Sequence, residues 1–450
     1  MITLSDEQNN AINSIVDFYK TSEDIGFSLT GQAGTGKSTV INNLCNVLDN
    51  ERIPYVLCAP THKAALVVER LTNREAITLH KLLALTPNIE IFNLDFKELE
   101  FKCGFQLQFP YGGLVICDEA SMVNDDLFKL LINKAKLYDC KVCFVSDKAQ
   151  LSPVKSKTVS LVYDLKNSFS LTKIYRQSSE NAIMPILQTL RETCIPKLDT
   201  VTGEYGSVFC TSEITEFLKW AKDGIKKSIK NSDILESKIL AFTNARVEKY
   251  NSIIRQIIWN NNNQYNKLEI LTGYENVEFN GVQFFNSMDY IVIGEPKRID
   301  IYIPNFMSVP GFAIELYDSL TKTSEVVNII DRDIPIDYLN ALCNKIEELR
   351  YCAINASQSG RRYSSKKWKA YYDTINSFTT PFDLTLDNRI IRKKSFDYGY
   401  ACTVHKSQGS SFNNTYVDLK DINRCNEDEM KRQLQYVALS RTRNNIFVLQ

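Results

Sequence analysis

Apolar runs of four to six residues alternate along the first half of the chain with segments whose apolar residues recur at helical spacing, the pattern of an α/β protein. Ser5 precedes Asp6, Glu7 and Gln8, and Ala11, Ile12, Ile15, Val16 and Tyr19 follow, which predicts an N-capped amphipathic helix within residues 1–20. Phe27 to Thr30 reads as a short buried strand, followed by a helix with Val40, Ile41, Leu44, Val47 and Leu48 in register. YVLCA (55–59) is a second strand, running into Pro60-Thr61-His62 and a helix through Lys63, Ala64, Leu66, Val67 and Leu71 for which Thr61 is the expected N-cap. LVIC (114–117) and VCFVS (142–146) are further strands. Between residues 88 and 109 the period changes to strict alternation, Ile89 and Ile91, then Phe101, Cys103, Phe105, Leu107 and Phe109, which predicts a β-hairpin inserted between α/β elements.

The pattern restarts at KILAFTNARVEKYNSIIRQII, a strand and then a helix carrying Val247, Tyr250, Ile253, Ile254 and Ile257. This opens a second α/β domain whose sheet is completed late, by TYVDL (415–419) and IFVL (446–449). Between about 275 and 395, short β-like runs from Val277 to Phe312 broken by Gly and Pro predict a small barrel. A helix striped by Leu339, Leu342, Ile346 and Leu349 follows, then RRYSSKKWKAYY (361–372). That segment is either a stacking platform for single strands or a helix whose aromatics pack inward while its charges face water.

Length and composition add little direction. The 450 residues suggest about three domains, and 44% apolar with 24% charged residues is ordinary for a globular chain. Lys+Arg and Asp+Glu both number 53, so any basic surface for a nucleic acid must be local. The 12 cysteines form no paired framework and no secretory signal precedes them, which implies a reducing cytosol. Cys140 and Cys143 read as buried strand residues rather than metal ligands, and no apolar run reaches membrane-spanning length.

The chemistry is concentrated at strand ends. Gly31, Gly36, Lys37 and Ser38 satisfy G-x-x-x-x-G-K-[ST] between a strand and a helix, where backbone N–H groups cradle phosphates, lysine reaches the β/γ-phosphates and the hydroxyl meets Mg²⁺. Asp118 and Glu119 directly follow LVIC; there a carboxylate can hold Mg²⁺ through water and its neighbour can deprotonate an attacking water. Asp147 and Gln150 follow the next strand, as a γ-phosphate sensor or an ordinary polar loop. Tyr175 and Arg176 end FSLTKIYRQ, where arginine could stabilise phosphoryl-transfer charge and tyrosine could stack on a base. The three histidines, His62, His80 and His405, each fall near such a segment. The strand-to-helix turn at Pro60 to His62 presents free amides that suit a phosphate of a nucleic-acid backbone.

Taken in order, LSDEQNNAI, GQAGTGKST, APTHKAA, TLHKLL, CDEAS, SDKAQLSPV, KIYRQ, AFTNARVEKYN, YACTVHKSQGSSF and YVALSRTRN resemble the motif set of superfamily 1 DNA helicases, most closely their RecD-like branch. The resemblance covers most of the chain. It implies two RecA-like parallel-sheet motor domains with ATP between them: domain 1 at 1–175 with the hairpin at 88–109, and domain 2 at 176–274 and 396–450. Residues 275–395 would form an SH3-like β-barrel plus helical insertion. It implies that Gln8 reads adenine, that Gly31, Ala33, Gly34, Thr35, Gly36, Lys37, Ser38, Thr39, Tyr175, Gln408 and Gly409 contact nucleotide, and that Ser38 and Asp118 hold Mg²⁺. Glu119 would activate water, Gln150 would link the γ-phosphate to the DNA groove, and Arg176 and Arg441 would reach the γ-phosphate from opposite sides. Pro60, Thr61, His62, Thr78, His80, Thr403, His405, Lys406 and Ser407 would line a single-stranded DNA path. Two positions depart from the branch: Ser146 stands where glycine is usual, and Tyr175 is not fixed. The hairpin at 88–109, with Phe92, Phe96, Phe101 or Phe105 near its tip, is either a strand-separating pin or a segment packed simply against the first domain. Unwinding of fork DNA, 5′-to-3′ movement, a monomeric state, and a cytoplasmic setting, the host's if the gene is a phage's, rest on the resemblance, as do single-strand binding or replication and recombination proteins as partners. An RNA helicase, or an ATP-regulated nucleic-acid-binding subunit of a recombination complex, are the alternatives.

Overall fold

The computed structural model describes residues 4–87, 101–103, 108–151, 160–173, 181–358 and 364–450. Its first sheet is six-stranded and wholly parallel, running from edge to edge Ala76–Thr78, Tyr55–Ala59, Leu114–Cys117, Lys141–Ser146, Gly26–Gly31 and Asn167–Leu171. Successive side chains serve opposite faces: Ile116 joins the core built with Ile12, Ile15 and Leu44, while Val115 joins the core built with Leu79, Leu82 and Leu131. Both faces are buried, which is why these strands read as continuous apolar runs.

A second parallel sheet runs Ala401–Thr403, Ser237–Ala241, Phe412–Asp418, Thr442–Leu449 and Val208–Thr211. It too is covered on both faces, with Leu240, Val417 and Val448 in one core and Ile239, Tyr416 and Leu449 in the other. The architecture is therefore mixed α/β with two parallel sheets, as expected.

The chain between them forms a six-stranded antiparallel sheet, with Ile270–Gly273 between Asp289–Val292 and Phe396–Tyr398 and the long strand Ser308–Asp318 pairing three neighbours. Two of its strands lie just outside the 275–395 expected for the insertion. A hairpin, Val277–Phe279 with Val282–Phe284, turns at Asn280 (φ 48°) and Gly281 (φ 82°), the left-handed pair that a two-residue turn of twisted strands requires. Helices Ile336–Gln358 and Ser364–Ile375 pack on the insertion. Tyr371 is buried in its core, Trp368 packs beside it and donates to Ser357 Oγ at 2.9 Å, and Lys367 and Lys369 face out. This favours the inward-packed reading of that segment over the stacking platform.

Strands Leu85–Pro87 and Phe101–Cys103 pair antiparallel, the first just ahead of the hairpin predicted at 88–109 and the second within it. Phe92, Phe96 and Phe105 lie outside the described residues, as does the side chain of Phe101. Among the described residues no helix is long and apolar enough to cross a membrane, and no cluster of His, Cys, Asp and Glu could hold a metal by those groups alone.

Candidate functional site

Gly36 begins the helix Lys37–Glu51 at φ 82°, leaving the first-turn amides facing the loop. Its left-handed backbone is what requires glycine here; a Cβ would stand 2.3 Å from Gln8 Nε2 and displace the end of that side chain. Gln8 is buried at 5% exposure: it closes a capping box with Ser5 at the start of helix Asp6–Thr21, and its Nε2 donates to Thr35 O at 3.3 Å. Lys37 Nζ donates to Gly31 O at 2.7 Å and Gln32 O at 3.0 Å, holding the ammonium at the loop.

Asp118 and Glu119 leave the end of strand Leu114–Cys117. Glu119 is in the left-handed region at φ 50°, as the N-cap of the short turn Ala120–Met122. Burial and the neighbouring Glu119 charge push the Asp118 carboxyl up to about 7, against the opposing pull of the Glu119 amide and Lys37. Gln150 is buried, and its Oε1 has no protein partner among the described residues. Arg441, 5% exposed, arrives from the end of the second-domain helix Asp428–Ser440, its Nε donating to Val437 O at 3.2 Å. Gln8, Ala33, Gly34, Gly36, Lys37, Ser38, Thr39, Asp118, Glu119, Gln150 and Arg441 line one cleft of about 460 Å³. Thr35 is buried beneath it, bonding Gln32 O at 3.0 Å.

Tyr175 and Arg176 lie outside the described residues. The chain just ahead of them is clamped by Glu7, whose carboxylate accepts from Thr172 N at 2.7 Å, Thr172 Oγ1 at 2.6 Å and Lys173 N at 3.0 Å. Burial opposes ionisation of Glu7, but those donors hold its pKa below the ordinary value. Sequence reasoning passed over Glu7 as a helix-start acid, and no local signal marks it.

A second cleft of about 580 Å³ brings together Pro60, Thr61, His62, Thr78, His80, His405 and Lys406 from both domains. Thr61 and Thr78 also cap helices, accepting from Ala64 N at 3.2 Å and Lys81 N at 3.1 Å. Thr403 and Ser407 do not line the cleft; they bond Lys406 N and Val404 O and so shape the turn that presents His405 and Lys406. Gln408 and Gly409, expected on the nucleotide, line this second cleft instead, following the turn at His405–Ser407, with the left-handed Gly409 (φ 72°) beside Ala64. Glu119 borders both clefts. The insertion adds residues that sequence reasoning missed: Phe285 stacks on His62 at 4.3 Å, and Ser287 O accepts from Lys63 Nζ at 2.9 Å.

Residues 3–211 match the AAA domain family and residues 398–449 the UvrD-like helicase C-terminal domain family, one on each side of the first cleft. The ATP-dependent DNA helicase dda of Enterobacteria phage T4 is 25% identical over 99% of this chain and 98% of that protein. The chain belongs to the superfamily 1 helicases, in their RecD-like branch. The superfamily 1 fold extends to the Pif1 helicase from Candida albicans, with TM-score 0.52 and 17% identity over 100% of this chain and 95% of that one. It extends likewise to a Bacteroides Pif1 helicase in complex with ADP-AlF3 and ssDNA, with TM-score 0.51 and 17% identity over 100% and 92%.

Proposed function

We propose that this chain is an ATP-dependent DNA helicase, moving along single-stranded DNA and separating the duplex at a fork. The observation that carries the reading is the pair of adjoining clefts: one built on the phosphate loop and closed by Arg441 of the other domain, the next lined by three histidines and Lys406, with Glu119 between them. ATP fits the first, since the loop amides, Lys37 and Arg441 converge on it and the orphaned Gln150 Oε1 is available to a ligand. The hard oxygen donors Ser38 and Asp118 suit Mg²⁺, which when bound neutralises phosphate charge. Gln8 contacts the base, Lys37 and Arg441 hold the phosphates, Glu119 orients and deprotonates water, and Gln150 relays the γ-phosphate state toward the strand. Arg176 completes the set from the first domain, with Tyr175 beside the base. Because Arg441 belongs to the second domain, binding and hydrolysis alternately close and open the cleft, and the strand grip at Pro60 to His62, Thr78 to His80 and His405 to Gly409 changes with it.

The finer reading includes 5′-to-3′ movement, motor domains at 1–175 and at 176–274 with 396–450, an SH3-like identity for the antiparallel insertion, a monomer, a cytoplasmic setting and single-strand binding protein as a partner. The test is hydrolysis with and without single-stranded DNA or RNA. DNA should stimulate it, and Glu119→Gln should lower kcat by about 100-fold or more while nucleotide still binds. No stimulation by either polymer overturns the motor reading, and stimulation by RNA alone favours an RNA helicase. Strand displacement on duplexes with a 5′ or a 3′ tail decides direction.

A further inference from the structure

One hydroxyl joins three segments of the nucleotide cleft, and none of the roles above uses it. Tyr436 lies on helix Asp428–Ser440, five residues before Arg441, and is 1% exposed. Its OH donates to Asp147 Oδ2 at 2.9 Å and accepts from Ala33 N, in the phosphate loop, at 3.4 Å. Asp147 is fully buried. Its other carboxylate oxygen accepts from Ala149 N at 3.0 Å, and its carbonyl accepts from Gln150 N at 3.1 Å and Tyr163 OH at 3.1 Å. The second-domain helix that ends at Arg441 is thus bonded to the loop carrying Lys37 and to the turn carrying Gln150. The ring packs separately, in a core that holds Ala149 and Leu151 of the first domain beside Leu434 and Val437 of the second. Phenylalanine would keep that packing and lose only the two hydrogen bonds.

We infer that Tyr436 is a positioning residue for hydrolysis: its hydroxyl, held by Asp147 and the Ala33 amide, sets the approach of the Arg441 helix to the phosphate loop. The inference rests on the ATPase reading of the cleft. Ordinary phosphate loops bind with amides and lysine supplied by one domain; here the other domain is hydrogen-bonded to that loop. A change at the loop or at Gln150 therefore moves the arginine helix, and a change in that helix is felt at both.

The test uses the full chain, with rates taken per nucleotide-binding equivalent so that unfolded protein does not count. For Tyr436→Phe, kcat in saturating single-stranded DNA should fall about tenfold, the worth of one hydrogen bond to a charged group, while KM for ATP changes by less than about twofold. A residue that merely stabilised the fold would leave kcat per site unchanged. Asp147→Ala should show the same split, and the double variant should be no slower than the slower single, since both remove one connection. Unchanged kcat in Tyr436→Phe, a change in KM alone, or losses that multiply in the double variant would overturn the inference. Absence of DNA-stimulated hydrolysis in the unsubstituted chain would instead overturn the functional reading, and this inference with it.

Discussion

Lys406 carries its charge under unusual constraint. Its Nζ sits 3.4 Å from the centroid of the Tyr274 ring, and Lys394 Nζ lies 4.4 Å from the same ring. Burial pulls the Lys406 pKa down to about 8; Lys394 and Lys63 add to the shift, while Cys402 and Asp289 oppose it. Lys394 is paired with Glu248 and Asp397, so its charge is already matched. Lys406 is therefore charged below about pH 8 and loses its proton above. Burial also holds His62, His80 and His405 below the ordinary histidine range, with the charges of His80 and Lys81 adding to the effect at His62, so the cleft's histidines do not titrate above neutrality. If Lys406 meets a strand phosphate, affinity for single-stranded DNA should weaken as pH rises from 7 to 9, with the salt slope smaller by about 0.7. Lys406→Arg, charged throughout, should abolish that dependence. Equilibrium titrations at several salt concentrations check this, and a flat affinity from pH 7 to 9 in the unsubstituted chain would remove Lys406 from the strand path.

At the scale of elements, strand Ser237–Ala241 is completely buried although its second residue is a lysine. Lys238 Nζ reaches Asp289 Oδ2 at 2.7 Å and Gly399 O at 2.6 Å, pinning the second parallel sheet to the insertion. Burial raises the Asp289 pKa, but Lys238, Lys63 and Thr272 outweigh it and hold the net value below the ordinary one. Its contribution to stability is thus complete above the ordinary carboxylate range and is lost as pH falls through the depressed value. Lys238→Ala should cost about 3–5 kcal/mol, read as a lower urea midpoint at pH 7, and the gap to the unsubstituted chain should narrow in acid. A gap below about 1 kcal/mol at pH 7 would show that the pin is not needed. The parallel strands were legible because each is a buried apolar run ending at a turn. The insertion was legible only as a β-rich region: Phe396–Tyr398 is three residues long and pairs with a strand more than a hundred positions earlier, a distance no local pattern encodes. Asn280-Gly281 is a local turn signal in that region, and it closes the hairpin Val277–Phe279 with Val282–Phe284. At the site, Gln8 was recognisable from its motif but its burial was not, because that comes from Thr35, 27 residues away. Tyr436 meets Asp147 and Ala33 across 289 and 403 residues.

Across the whole molecule, the second domain is finished only by the last strand. Thr442–Leu449 lies between Phe412–Asp418 and Val208–Thr211, and among the described strands it is the only sheet partner of the latter. Ile446 and Val448 are fully buried in one core and Leu449 almost fully in the other. Losing these three side chains removes about 4–9 kcal/mol of apolar burial, comparable to the ~5–15 kcal/mol that keeps a typical domain folded. The same strand follows directly on Arg441, so its register sets the end of the helix that carries Tyr436. Deleting residues 442–450, which leaves Arg441 in the chain, should therefore do more than loosen the end of its helix: the second domain should lose cooperative unfolding in urea, and DNA-stimulated hydrolysis should disappear with it. Arg441→Ala, which keeps the strand, should lose hydrolysis with a far smaller shift of the urea midpoint. If the truncated chain unfolded at the same midpoint as the intact one, the strand would be dispensable to the fold, and the loss of activity would have to be assigned to the cleft alone.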